Sequence, residues 1–227
     1  MERHCDSHGH AHMYEGSLYS EFLCHFPYAI IAVTCSMALI ACMTYIAIIN
    51  EAMDMHVEDA SNIMFHTFHF MHIIFAATGS IITYCRFAPF SIYAIIINGL
   101  SAVFFCSLSD VIIPYVGGML MGMELDLHFC FLEELSNVVP FLCVGILNGF
   151  IMSKHHSSKQ LGFSLYSHFI HILISAFASL FYLTSQGVAH WYHNMGMVFV
   201  FLLIAVVVPC TLSDLVVPFF VAKNKSS

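Results

Sequence analysis

Cys106-Ser107-Leu108-Ser109-Asp110-Val111-Ile112-Ile113-Pro114 and Cys210-Thr211-Leu212-Ser213-Asp214-Leu215-Val216-Val217-Pro218 are one phrase written twice. Five of the nine positions are identical and the other four exchange similar side chains. Each copy sets an aspartate inside a long apolar run, four residues before a proline. A second shared phrase lies upstream: His69-x-x-His72 in the first half and His168-x-x-His171 in the second. The interval from the second histidine to the cysteine is 34 residues in one half and 39 in the other. The chain is an internal duplication, with Asp and His at corresponding places in both halves.

Composition decides where such a chain can reside. It is 227 residues long, 59% hydrophobic and 9% charged, with a mean hydropathy of +0.84. A soluble domain carries about 25% charged residues, and a membrane-spanning helix needs roughly 20 apolar residues. Six Lys and Arg in total provide no basic footprint for nucleic acid. The nine cysteines form no C-x-x-C pair and mostly fall in apolar runs, so they read as small buried side chains. Residues 1–25 hold acids and histidines instead of a basic leader, so no cleavable signal peptide is expected.

Six spans follow: about Phe26–Ile49, Ile63–Tyr84, Phe90 past Asp110 toward Pro114, Leu135–Ser153, Leu161–Ser185 and Gly196–Val221. The last two divide a charge-free stretch at Gln186-Gly187, and Gly117-Gly118 reads as a break after the third. With the N-terminus on the inner (cytoplasmic or equivalent) side, Arg3, Arg86, Lys154, Lys159, Lys223 and Lys225 all fall inside, as the positive-inside rule requires. Both termini are then inside. Three spans per half force the second half to enter from the opposite side, the inverted arrangement of many secondary transporters. The expected fold is an all-α polytopic membrane protein of two inverted three-helix repeats. It comprises a His-rich tail (1–25), a first repeat with an acidic outer loop (26–134), a second repeat (135–222) and a short basic tail (223–227).

His66, His69 and His72 are spaced to share a helix face with Ala76, Ser80 and Thr83. Ser164, His168, His171, Ser175 and Ser179 make a similar stripe in the fifth span. A charged Asp at a helix centre costs roughly 2.5–3.5 kcal/mol on insertion scales, so such residues face the bundle interior or a water path. Asp110, Asp214, His69, His72, His168 and His171 are therefore the primary metal candidates. Carboxylate oxygen with imidazole nitrogen suits a divalent first-row ion such as Zn, Mn, Fe, Co or Ni, and the same groups suit a proton relay. Secondary candidates are His66, then His128, Asp126 and Glu133 in an acidic outer loop, and His8, His10 and His12 in the tail. The acidic loops would gather cations at the outer mouth. His190 and His193 flank Trp191 and Tyr192, a pattern typical of an interfacial anchor.

No hydrolase, zincin or P-loop signature is present, which points away from an enzyme. The expected function is transport of a divalent transition-metal cation across a lipid bilayer, with protons as a possible counter-ion. Two alternatives stand beside it. His72 and His171 could be the axial pair of a b-type haem in a membrane redox protein, or the polar stripes could only fix helix packing in a non-transporting accessory or sensor protein.

Overall fold

The computed structural model describes residues 18–49, 57–89, 91–127, 133–154, 160–186 and 191–226. Among these the chain is entirely helical, without a strand. Six helices are long and apolar enough to cross a membrane. They are α1 (Leu18–Ile49), α2 (Val57–Phe87), α3 (Ile92–Leu120), α4 (Leu135–Lys154), α5 (Gln160–Ser185) and α6 (Met195–Thr211, continuing to Ser226). The division of the long apolar stretch after Ser185 is as the sequence predicts, and a short 3₁₀ turn, Trp191–Asn194, leads into α6.

The duplicated phrase folds the same way twice. α3 and α6 each contain one π-helical turn, at Leu108–Ile112 and Leu212–Val216, the same five positions of the phrase. The Ile113 amide donates to the Leu108 carbonyl and the Val217 amide to the Leu212 carbonyl, one residue further back than in an α-helix. Pro114 and Pro218 follow at once and have no amide hydrogen. In the first copy this leaves the Ser109 carbonyl without a backbone donor, and the Ser179 hydroxyl of α5 takes it at 3.0 Å. The wide turn also places the aspartate on the inner face of the helix.

α2 and α5 run side by side in opposite directions. Phe65 meets Tyr182, Phe68 meets Phe177 and Phe181, and His72 meets His171, so numbers rise along one helix as they fall along the other. Two apolar cores flank this pair. One joins α1, α5 and α6 through Ala32, Val33, Phe177, Leu180, Leu202 and Val206. The other joins α4, α2 and α3 through Val138, Ile73, Ala76, Ala77, Ala102 and Val103. The first helix of each half thus packs on the histidine helix of the other half.

Close approach of α4 to α2 rests on Gly145 and Gly149. A methyl group on Gly145 would lie 2.7 Å from the Ile74 carbonyl oxygen, and one on Gly149 would lie 2.9 Å from that of Thr78. Small residues four apart are the usual means of close helix contact in membranes. Thr78 adds a hydrogen bond to the Gly145 carbonyl at 3.0 Å. Gly145→Ala is expected to destabilise the protein by about 1–3 kcal/mol, the cost of overpacking. Gly196→Ala, with open space around the added methyl, should change thermal unfolding in detergent by less than about 0.5 kcal/mol. Equal melting of the two variants would refute this account of the α2–α4 contact.

Gly117 and Gly118 correct an expectation. They do not break the third span, which continues to Leu120. Their missing side chains make room for Phe201 on one side and for Leu125 and Leu183 on the other. The chain turns instead at Met121-Gly122, where Gly122 adopts φ +78°, a backbone conformation that glycine enters without steric cost.

The two ends of the bundle differ in charge. Arg86, Lys154 and Lys223 lie at one end, where Phe87 touches Phe219 and Tyr84 packs with Ala94 and Ala222. Glu58, Glu124 and Asp126 lie at the other. There they line a cavity of about 660 Å³ with Tyr115, Met119 and Gln186. Residues 1–17, which include the tail histidines, lie outside the described residues, as do Glu51, Asp54, His128, Lys159 and His190.

Candidate metal centre

Antiparallel α2 and α5 bring the two His-x-x-His phrases together, and the π turns of α3 and α6 supply a carboxylate to each. In the first half His69 and His72 both donate from Nδ1 to Oδ2 of Asp110, at 2.9 and 2.7 Å. The other carboxylate oxygen accepts from Ser109 at 2.7 Å and from Ser175 of α5 at 3.0 Å. All of these groups are buried, and Asp110 is 0% exposed. In the second half His171 Nδ1 lies 2.8 Å from Oδ2 of Asp214, and His168 Nδ1 lies 3.9 Å from the same atom.

These bonds fix the imidazoles. A carboxylate oxygen only accepts, so Nδ1 of His69, His72 and His171 carries a hydrogen, and Nε2 is the nitrogen free to meet another ligand once it is deprotonated. The His72 and His171 rings are adjacent, with centroids 4.7 Å apart. His72 Nε2 is 3.6 Å from Sγ of Cys210. One donor atom each from His72, His171 and Cys210 lies within 4.8 Å of the others, and the same is true of His168, His171 and Asp214. Cys106, the first residue of the other copy of the phrase, is buried in the same half as His72.

Donors bound to one tetrahedral zinc sit about 3.3–3.8 Å apart, given bonds of about 2.0–2.3 Å. The Cys210–His72 separation of 3.6 Å lies in that range, and the His171 donor lies within 4.8 Å of both. A carboxylate behind each imidazole is the usual support of a metal-bound histidine. The donor chemistry and the unpartnered Nε2 of His171 therefore fit a zinc-class ion.

The six primary residues converge as their spacing predicts, and the secondary ones do not join them. His66 lies toward the acidic end, with Nδ1 2.9 Å from the Asn62 carbonyl and Nε2 3.1 Å from Glu134. Asp126 and Glu133 are exposed at that end. Asp126 is held through its backbone, which accepts from the Tyr182 hydroxyl and donates to the Gln186 side chain. Cys106 and Cys210 were not predicted as site residues. Cys35, Cys42 and Cys143 do sit on exposed faces, but the two phrase cysteines lie in the centre. Their place at the head of both phrases was the available signal.

Six helices long and apolar enough to cross a membrane surround a buried His–Asp–Cys centre whose donor atoms could hold a metal ion, the makeup of an integral membrane protein. No protein-family model matches the sequence, and neither a curated protein nor a solved structure gives a significant match.

Proposed function

We propose that the protein carries a divalent transition-metal cation, of the zinc class, across a bilayer through the centre between its two halves. The observation that carries this reading is the pair of carboxylate–imidazole couples, Asp110–His72 and Asp214–His171, whose imidazoles meet beside Cys210. His72, His171 and Cys210 bind the cargo. Asp110 and Asp214 orient the imidazoles, and His168 with Asp214 offers a neighbouring position. Among Zn, Mn, Fe, Co and Ni, a nitrogen–sulfur donor set favours zinc and disfavours manganese.

The exchanged packing of α1 and α4, with the antiparallel α2–α5 pair, supports two inverted repeats, the arrangement that permits alternating access. The basic end is then the inner face, which places the C-terminus inside, and the acidic cavity is the outer mouth, where its charge would concentrate cations. Protons released or taken up by the histidines are the natural counter-ions. The haem reading receives less support. A macrocycle must pass between its two axial imidazoles, and rings 4.7 Å apart on helices packed along their length leave no slab for it.

Elemental analysis tests the reading. Full-length protein and the His72→Ala/His171→Ala double variant share the same tail, so metal on the tail cancels. The expected difference is about one zinc per chain, with zinc flux into proteoliposomes lost in the double variant. Equal metal content together with equal flux would refute the proposal and leave the packing-only role.

A further inference from the structure

The two halves of the centre are not equivalent. Asp110 is fully buried and both of its oxygens are bonded. The Asp214 side chain is 12% exposed, and its Oδ1 has no protein partner. The helix opposite each aspartate accounts for the difference. Around Asp110, α5 provides Ser175 for the carboxylate and Ser179 for the freed carbonyl of Ser109. The corresponding positions on α2 are Ala76, which has no hydroxyl, and Ser80, whose buried hydroxyl has no protein partner. The Ser213 hydroxyl is likewise without one, whereas its counterpart Ser109 is bonded. Gly79 faces Asp214 directly, and a methyl there would lie 3.1 Å from Oδ2.

A second observation comes from α3. Asn98 is 0% exposed, yet neither its amide nitrogen nor its amide oxygen meets a protein partner, and the Ser101 hydroxyl one turn further along is in the same condition. The level of Asn98 in the bundle is set by its neighbours. Ala94 packs with Tyr84 and Ala222 near the basic end, and Ala102 packs with Ala76. Asn98 lies one turn from each on α3, as Ser80 lies one turn from Ala76 and from Tyr84 on α2. Asn98 and Ser80 therefore share a level where α2, α3 and the last part of α6 meet.

Asp214 Oδ1, Ser213, Ser80, Asn98 and Ser101 bring both donors and acceptors to this junction. Buried polar groups are almost always hydrogen-bonded, and a buried water needs two to four such partners. A mixed set of this kind suits water better than a bare cation, which would leave the Asn98 N–H groups unmet. These polar atoms are closed to solvent in this conformation; we infer that the side chains part to line a hydrated chamber that opens the Asp214 half of the centre toward the basic end, while the Asp110 half stays sealed. The inference rests on the proposed function only in making this chamber the cargo's route; the hydration is independent of it.

Cysteine accessibility tests the chamber. Ser80→Cys, Asn98→Cys, Ser101→Cys and Ser179→Cys are treated in membrane vesicles with a small cationic methanethiosulfonate, and modification is located by peptide mass spectrometry so that native cysteines do not interfere. Thiol reactivity follows access. The three chamber positions are expected to react about tenfold faster than Ser179→Cys. Comparable rates at Ser80→Cys and Ser179→Cys, or no reaction at the chamber positions that fold, would overturn the inference. Ser101→Cys covers the case in which Asn98→Cys does not fold. Reactive chamber cysteines in a protein that binds no zinc would sink the transport reading and leave the chamber standing. Bound zinc with unreactive cysteines would do the reverse.

Discussion

Asp110→Ala is expected to be the most destabilising single substitution at the centre. Four side chains converge on this carboxylate, two imidazoles on one oxygen and two hydroxyls on the other. Removing it leaves the Nδ1 donors of His69 and His72 buried without an acceptor and Ser175 with only a 3.4 Å contact to the Ser109 hydroxyl. Breaking a buried charged network from one side costs about 3–5 kcal/mol. Asp214→Ala should cost less, about 1–3 kcal/mol, because it chiefly strands the Nδ1 donor of His171. Denaturation in mixed micelles, followed by helical circular dichroism, gives the comparison. If the Asp214 variant proved the less stable of the two, the assignment of Asp110 as the sealed half would fail.

The second large effect concerns Cys210. Its sulfur lies 3.6 Å from His72 Nε2 and shares a donor triangle with His171. In cobalt-substituted protein a thiolate ligand produces strong near-ultraviolet absorption, and Cys210→Ser should abolish or sharply reduce it. Zinc affinity should fall at least tenfold, since removing even an outer partner of a metal ligand costs about 10–100-fold. Cys143→Ser, on an exposed apolar face, serves as the unaffected control. Retention of the band and of zinc affinity in Cys210→Ser would remove sulfur from the proposed ligand set.

Much of this architecture is legible in the residues. The six apolar runs appear as helices because their length and lack of charge leave little else in a bilayer, where backbone groups must be satisfied internally. Histidines spaced by three on two segments had to share a helix face, and His72 and His171 do meet. The π turns were not legible. A one-residue widening carries no composition signal of its own, and only the proline four residues after each aspartate hints at it. The nearness of Cys210 to the histidines was not legible, because a thiol in an apolar run resembles any small side chain until its neighbours are known. His66 continues the histidine stripe in sequence, but by its level on α2 it has reached Glu134 at the acidic end. The equivalence of α1 and α4 rests on packing alone, because the two helices share no evident motif. Only the choice of partner helix relates them.

That exchange of partners bears on how such a chain could arise. Since α1 covers α5 and α4 covers α2, a single three-helix unit leaves one flank of its histidine helix bare. A solitary ancestral unit could bury that flank only against a copy inserted upside down. On the proposed inverted-repeat reading, the ancestor would be an antiparallel homodimer whose subunits entered the membrane in both orientations, with gene fusion fixing one copy each way. Fusion would also free the halves to diverge, so that serine at 175 in one corresponds to alanine at 76 in the other. Co-expressing residues 1–134 and 135–227 as separate chains should restore an assembled protein, while either alone should aggregate or be degraded.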